Sequence, residues 1–546
     1  MAAISTLAKR LNSALILKSF FAFLSTYIFY KSYLYPTFFS PLRHIPGPPN
    51  KSKVNKYHIP FLGHYLDLVR EEPGNTFNDW IEQYGGIVAY HGLFNTLQIV
   101  LGDPKAIQHV YSTYAYDYPK SSRTVRLLSS VIGKGGVLLA EGAIHRKQRK
   151  MLNPAFSHKH IKEMVPTMAA PAETLGKIWE DRVDASECNS VEFDIVHDLK
   201  SCTLDIIGQA GFGYDFQALT TPDNELRQAY KQLPAGQSPL IILLRGYVPY
   251  YINIPFKHNQ IRKQSLRTFE RVTTDIIQEK RVQIGAAKGK SGDGKDLMSI
   301  LVQANEQVGT LDDGKLTDTE LKAQIMTFMA AGHDTTSNLV TWMLHVLSTH
   351  SDAQRKVRQE ILDHIGLPTK HDYGHLNYDA LNALPYLAAC VKEVLRLFPP
   401  VSATSRVAAH DDEILGYDIP KGTQIILPVS ALHKLKSIYG DDAEEFRPER
   451  WMDPASFSEE VQQSIKFVTP DMAWAYVPFL MGPHNCIGSK FAIIEAKILL
   501  YYLLINLEYA PVPGFKFTKI ARVTLRPDPG MRLIVKRIQR DAPAAL

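Results

Sequence analysis

The sequence predicts a mainly α-helical fold with small peripheral β-sheets, on three observations. Apolar residues recur at helical spacing over 141–165, 190–215, 260–284, 318–348, 352–365, 385–398 and 487–505. Strand-like runs are short, as in "GIVAYHG", "LQIVLG" and "TQIILPV". Hydrophobic residues make up 45% of the 546 positions, ample for a large core, and no fixed-period repeat points to a solenoid instead.

The first element is an apolar segment, "LILKSFFAFLSTYIFY", followed by Lys31 and the rigid stretch "HIPGPPN". A spanning helix needs about 20 apolar residues. Leu11–Tyr30 supplies that length only if Lys18 is tolerated inside it, so a tilted or interfacial anchor competes with a spanning one. The run ends in aromatics and Lys31 with no small-residue cleavage site, which favours a retained anchor over a cleaved signal peptide. Pro46, Pro48 and Pro49 resist helix and space the chain that follows. The expected organisation is an anchor and the start of a hinge over 1–45, then one folded domain over 46–546. Within that domain, "AAKGKSGDGKD" at 286–296 reads as an exposed linker loop.

Charge and cysteine usage exclude several classes. A net charge of +6 from 61 basic and 55 acidic residues is small for this length and supports no nucleic-acid binding, while remaining compatible with an anionic membrane or an acidic partner. Cys188, Cys202, Cys390 and Cys486 show no C-x-x-C spacing, so neither a structural zinc site nor a redox dithiol is signalled. So few thiols fit a reducing compartment. Cys202 and Cys390 fall in apolar helical patterns and read as small buried hydrophobes.

The longest periodic segment starts at a capping box, Thr317 with Glu320, and runs through "LKAQIMTFMAAGHDTTSNLVTWMLHVL". That is roughly 45 Å of helix, enough to cross a domain. Its centre, "AGHDTTS", places Gly332, Asp334, Thr335 and Thr336 where helix propensity prefers Ala or Leu. Two readings stand side by side: these groups face a polar neighbour, or they open a groove by diverting a backbone carbonyl and permitting close approach. In "VKEVLRLFPP", Glu393 and Arg396 share one helical face among apolar neighbours, and Arg450 of "EEFRPERW" can complete a buried network with them.

Four segments in order, "AGHDTT", "EVLR", "FRPERW" and "FLMGPHNCIG", resemble the signature set of the cytochrome P-450 monooxygenases. Each alone recurs by chance; the ordered set is specific. The resemblance spans about Pro46 to Lys536, and the anchor with its Pro-rich hinge resembles the microsomal, membrane-anchored eukaryotic members. It implies the P-450 fold, with haem b (iron protoporphyrin IX) between the long central helix and the helix of the cysteine loop. Cys486 then stands at the position of the axial thiolate ligand of haem iron, which favours O–O cleavage. It precedes the helical run "GSKFAIIEAKILLYYLL", whose free N–H groups and dipole favour a thiolate. Gly482 and Gly488 permit close approach of backbone, and Phe479 would shield the sulfur from water.

Two loop positions depart from the commonest family form: Leu480 replaces a small residue, and His484 replaces an arginine that pairs with a haem propionate. By the same resemblance His145, Arg149 and Arg406 are further propionate partners, although Arg149 also fits a solvated basic face with Arg146, Lys147 and Lys150. Glu393, Arg396 and Arg450 correspond to the structural network behind the haem.

The implied activity is insertion of one oxygen atom from O2 into a lipophilic small molecule: a terpenoid, sterol, fatty acid or polycyclic xenobiotic. Thr335 would face the oxygen-binding side of the haem, and Asp334 would relay protons from solvent with help from His333. Electrons would come from a separate NADPH–cytochrome P-450 reductase carrying FAD and FMN, with cytochrome b5 as an additional donor, because no flavin or nicotinamide module is seen in this sequence. The expected location is the endoplasmic reticulum membrane, with the catalytic domain facing the cytosol. The substrate pocket would be lined from "SSRTVRLLSSVIGKGG", the Phe328 to Ala331 face and Val401 to Thr404, and "PLIILLRGYVPYYINIPF" would dip into the membrane unless it is core. Two rival readings are a reductase-independent haem-thiolate isomerase or peroxygenase, and a non-catalytic haem-binding sensor.

Overall fold

The computed structural model describes residues 2–50, 62–221, 224–232, 238–248, 250–286, 296–307, 315–367, 376–458 and 466–538. Apart from its two end residues, the expected loop at 286–296 lies outside them. Helix dominates, and the described residues form four small sheets of two to four strands. The chain divides into two compact units: Met1–Pro119 with Ala403–Leu432, and Lys120–Ser402 with His433–Leu546.

The smaller unit is built on a sheet in which Ile87–His91, Leu97–Leu101, Gln424–Leu427 and Thr404–Val407 lie side by side. All three strand-like runs read from the sequence are in it. Only Leu97–Leu101 with Gln424–Leu427 is parallel, as expected for strands joined by a long excursion of chain. Val88, Ile99, Val100 and Ile425 are fully buried, with the Trp80 ring of helix Asn75–Tyr84 tilted against Tyr90, centroids 5.4 Å apart.

Helix Ala2–Phe29 also belongs to this unit and continues as a π-helical stretch, Tyr30–Phe39, with Pro36 inside it. Leu15, Ile16, Leu17, Phe20, Phe21 and Phe23 are all between 56% and 71% exposed, on successive faces, so no protein surface covers the described side chains at 15–29. Among the described residues, no helix is long and apolar enough to cross a membrane. The spanning form of the anchor is therefore not supported. Lys18, Ser19, Ser25 and Thr26 interrupt the apolar run, and each lowers the gain from burying it in hydrocarbon.

The larger unit is organised by helix Asp318–Thr349, 32 residues and about 48 Å long. Its capping box forms as expected: Thr317 Oγ1 accepts from Glu320 N–H, and the Glu320 carboxylate accepts from Thr317 N–H. Helices Val196–Ile206, Pro385–Leu397 and Ser489–Ile505 pack against it. Trp179, Trp342 and most of Ser489–Ile505 are fully buried in one continuous apolar core.

Two segments depart from the sequence reading. The period over 141–165 is two helices, Gly142–Leu152 and His158–Asp184, broken at Pro154. The second runs on through Pro166 and Pro171, because Met164, Val165, Met168, Ala172, Leu175 and Trp179 are buried along one face and outweigh about 3 kcal/mol per proline. The period over 190–215 begins with a strand, Ser190–Asp194, before helix Val196–Ile206 and a π-helical turn, Ile207–Gly211. That strand pairs with Arg532–Arg537, a partner no local pattern reveals.

Candidate functional site: a cysteine loop and the centre of the long helix

The segment 479–488 is a tight loop closed by Cys486 N–H donating to Phe479 O at 2.8 Å, with Leu480 N–H donating to Val477 O and Asn485 N–H to Gly482 O. Gly482 has φ +73, which explains that glycine; Leu480 adopts φ +56 with a side chain, a strained left-handed residue. Gly488 has an ordinary φ, and a Cβ there would meet only Phe156 at 3.8 Å, so close approach does not require it. Its N–H serves instead, donating to the Cys486 sulfur. Phe479 packs against the core beside the loop.

Cys486 is accessible, yet burial by the surrounding protein pushes its thiol up; the Gly488 N–H and the Arg149 charge act in the opposite direction. Desolvation outweighs the Gly488 N–H at the helix start, which acts toward the thiolate; a cation on sulfur would tip the balance. By comparison Cys202 and Cys390 are buried as expected and Cys188 is exposed.

Helix Gly142–Leu152 addresses the loop with two residues one turn apart. The ring of His145 stacks on His484 at 4.1 Å, and Arg149 reaches Asn485 with both ends of its guanidinium: one N–H to the backbone O at 2.9 Å, another to Oδ1 at 2.7 Å. His484 Nε2 lies 3.4 Å from the carboxylate of Glu141, an ion-pair distance rather than an aligned hydrogen bond. Lys120 holds the other Glu141 oxygen at 2.9 Å. Burial alone would raise the Glu141 carboxyl, but His484 and Lys120 hold it at about 2. Burial, then the His484, Lys120 and Arg149 charges, lower His145 to about 4, so it is neutral. Lys120, Arg149, His484 and a single carboxylate, Glu141, thus gather around His145, a basic surplus suited to the propionates of a haem.

The centre of the long helix stays α-helical, and each of the two sequence readings finds a counterpart there. Ala331 is exposed although it lies mid-helix, and Thr335 Oγ1 donates to Ala331 O at 2.7 Å, diverting that carbonyl. Gly332 permits close approach, but of Ile207, whose side chain lies 3.0 Å from where a Cβ would be. Asp334 points elsewhere: one oxygen is 2.7 Å from Lys200 Nζ, the other accepts from Thr524 Oγ1, and Asn338 Nδ2 donates to Thr524 at 3.1 Å. Burial would raise the Asp334 carboxyl, but Lys200, His333 and Thr524 hold it at about 2. His333 is buried, which lowers its pKa, and its Nδ1 is engaged by Met329 O on its own helix at 2.8 Å. Thr336 faces Glu495 of the cysteine-loop helix, whose carboxyl is pushed well up by burial.

Glu393, Arg396 and Arg450 come together as expected, all fully buried. Glu393 accepts two bonds from Arg396 at 2.7 and 2.8 Å, one from Arg450 Nε at 3.0 Å, one from Arg447 N–H and one from Trp451 Nε1. Arg396 also donates to the carbonyls of His433, Ala443 and Glu445. His433 Nε2 then accepts from Val477 N–H at 2.9 Å, two residues before Phe479, so the network reaches the start of the cysteine loop. Lys200, Thr524, His433, Trp451 and Asn485 are members that sequence reasoning missed; only Trp451, inside "FRPERW", and Asn485, inside "FLMGPHNCIG", carried a signal.

In the smaller unit Arg406 is buried in strand Thr404–Val407, bonded to Thr404 Oγ1 and Ser405 O and lying 4.8 Å over the Tyr111 ring. The segment 121–136 forms helix Ser122–Ile132 and a glycine turn laid against the long helix: a Cβ on Gly136 would collide with Thr327 Oγ1, and Val137 N–H donates to Gln324. Phe156 packs edge-on to Phe328 at 5.3 Å, tying the long helix to the neighbourhood of Gly488. Helix Pro239–Tyr247 follows, held by Arg123 to Tyr247 and Arg126 to Gly246 O, and leaves Leu240, Val248, Tyr250, Ile252, Ile254 and Phe256 exposed.

The sequence profile of the Cytochrome P450 family matches residues 55–534. Cytochrome P450 monooxygenase 128 of Postia placenta is 32% identical over 517 residues, covering 89% of this chain and 90% of its own. Cytochrome P450 monooxygenase FUM15 of Gibberella moniliformis is 31% identical over 519 residues, covering 87% and 84% respectively. Ganoderic acid synthetase CYP5150L8 of Ganoderma lucidum is 32% identical over 514 residues, covering 88% of each. With a thiol loop, a basic surplus for propionates and a diverted carbonyl in its longest helix, this chain belongs to the cytochrome P450 family and is a haem-dependent monooxygenase.

Proposed function

We propose that the protein inserts one oxygen atom from O2 into a lipophilic small molecule, using electrons from a separate NADPH–cytochrome P450 reductase, with cytochrome b5 as a second donor. The observation that carries this reading is the pair of adjacent polar residues at the centre of the long helix: a hydroxyl bonded to the carbonyl of the exposed Ala331 and a carboxylate turned to a solvent-touching lysine. Haem, held through Cys486, would supply the reductive activation of dioxygen. The Thr335 hydroxyl spends its proton on Ala331 O, so its lone pairs are left to accept from a water or a protonated oxygen beside it. Asp334 and Lys200 have side chains 25% and 27% exposed, so a proton can pass from water to the Asp334 carboxylate. A reductase-independent rearrangement would need no such delivery.

His145, His484, Arg406 and Arg149 are assigned to the haem edge, and Glu393, Arg396 and Arg450 to supporting the loop from behind. The catalytic domain is taken as 46–546. The exposed apolar helix at 15–29 and the exposed apolar residues at 240–256 support membrane association, and with it substrate arrival from lipid. The endoplasmic reticulum, with the catalytic domain in the cytosol, is the location that fits a reductase partner.

The test pairs the full-length protein with a fungal NADPH–cytochrome P450 reductase and a library of terpenoids, sterols, fatty acids and polycyclic compounds under isotopically labelled dioxygen. Substrate-dependent NADPH consumption with one labelled oxygen in the product is expected. The reduced protein with carbon monoxide should show the red-shifted Soret band of a thiolate haem, absent in Cys486→Ala. Turnover without reductase or label would overturn the reading.

A further inference from the structure

Helix Ser489–Ile505 is buried along most of its length, and one of its fully buried side chains is a carboxyl. Glu495 lies between Ile494 and Ala496 in the continuous apolar core. An ionised carboxylate in such a place needs a cation or several donors to offset its desolvation. Glu393 has both; neither oxygen of Glu495 accepts a hydrogen bond among the described residues. The polar groups on the elements packed against this helix are spent elsewhere. The buried face of His158–Asp184 is apolar, and Glu508 of strand Leu507–Pro511 is exposed. Arg358 of helix Ser351–His364 donates to the carbonyls of Leu504 and Leu507, at the far end of Ser489–Ile505, and Lys497 donates to Leu381 O of helix Tyr378–Asn382. Cys202 of Val196–Ile206, buried near the Glu495 carboxyl, donates to Pro171 O. The long helix supplies the remaining polar group. Its Thr327, Thr335 and Thr341 each donate to a carbonyl one turn back, at 2.7 to 2.8 Å. Thr336 does not: its Oγ1 is buried without a hydrogen-bond partner among the described residues, and it faces Glu495. The two side chains meet without an aligned hydrogen bond, so three buried polar atoms lie together in the core. A buried water makes about three hydrogen bonds to groups of this kind.

We propose that Glu495 is an uncharged carboxylic acid in the folded protein and that it and Thr336 hold one buried water between them, a positioning bridge from the long helix to the helix that follows Cys486. A protonated carboxyl offers one donor and a free acceptor, and the hydroxyl offers the same, so one water can satisfy all three atoms. Thr336 adjoins Thr335, and Ser489–Ile505 begins just past Cys486. The bridge therefore ties the turn that bears the candidate hydroxyl to the helix that starts beside the thiol.

The experiment uses the haem-loaded, full-length protein at neutral pH as wild type, Glu495→Gln, Thr336→Val and Thr336→Ser. It reads two quantities: the carbonyl stretch of a protonated carboxyl in infrared difference spectra, and the unfolding constant from denaturant titration. Wild type should show a protonated-carboxyl band that Glu495→Gln lacks. Thr336→Val should move that band to higher frequency, as a carbonyl with less hydrogen bonding absorbs, and Thr336→Ser should leave it in place. Thr336→Val should also raise the unfolding constant about tenfold, the size of one hydrogen bond, whereas a buried hydroxyl with no partner would be replaced at no cost. Glu495→Gln should unfold no more readily than wild type, because a neutral amide takes the place of a neutral acid. If Glu495→Gln folds poorly, the shift between wild type and Thr336→Val still reports on the carboxyl. A protonated-carboxyl region that neither Glu495→Gln nor Thr336→Val alters would overturn the uncharged acid. An unmoved band together with a wild-type unfolding constant in Thr336→Val would overturn the water bridge.

Discussion

Two carboxylates in the larger unit, Glu393 and Asp334, are both paired with basic side chains, and their surroundings make opposite use of the pairing. Glu393 is wholly buried, accepts five hydrogen bonds, and its two arginines spend their remaining donors on backbone carbonyls and, from Arg450, on the Asp442 carboxylate. Nothing there can move without leaving a charge unpaired in a dry interior. Asp334 has one lysine and one hydroxyl, and a quarter of its side chain meets solvent. The first arrangement holds a shape; the second can exchange a proton. Saturation and burial, more than the presence of an ion pair, separate scaffold from chemistry here.

The strongest way to break this contrast is Glu393→Ala, which strands Arg396 and leaves Arg450 to Asp442. Removing one partner of such a set costs about 3–5 kcal/mol, so the yield of folded, haem-loaded protein should collapse; a variant whose melting point and haem content match wild type would show the network to be dispensable. Asp334→Asn should do the reverse. An ion pair that touches water is worth about 0–1 kcal/mol, so the melting point should barely change, while positioned proton delivery is worth 10²–10⁴-fold, so product formation should slow by about 10²-fold. Thr335→Ala beside it should keep substrate binding and send more NADPH to hydrogen peroxide. Unchanged product per NADPH in Thr335→Ala would reduce that threonine to a helix residue.

The smallest effect separates the regions by pH. Burial and the Arg396 charge lower His433 from 6.5 to about 3, so between those values the unfolded chain takes up a proton that the folded chain refuses, and stability declines as pH falls through that window. Asp334, depressed from 3.8 to about 2, contributes fully above about 3.8 and loses its contribution only as pH falls toward 2. Between pH 7 and 5 His433 should weaken the Glu393 side, while the Asp334–Lys200 pair should add nothing to the decline. His433→Gln, whose Oε1 can still accept from Val477 N–H, should flatten the decline of the unfolding midpoint over that interval, and Lys200→Met should leave its slope alone. Equal slopes in wild type and His433→Gln would remove His433 from the account.

Helical dominance, the capped long helix and its odd centre were legible in the chain itself, as were the pairing of Glu393 with Arg396 and the singling out of Cys486. Each depends on residues within a few positions of one another, where periodicity, caps and i, i+3 spacing act. The tertiary structure decided the rest. Ser190–Asp194 became a strand because Arg532–Arg537 lay beside it. His158–Asp184 stayed helical through two prolines because its apolar face was buried. Asp334 acquired Lys200 and Thr524, and Arg149 was turned to Asn485, across long separations in sequence. Such pairings are set by which surfaces the core brings together, and a hydrogen bond between distant residues leaves no period or spacing in the sequence by which it could be read.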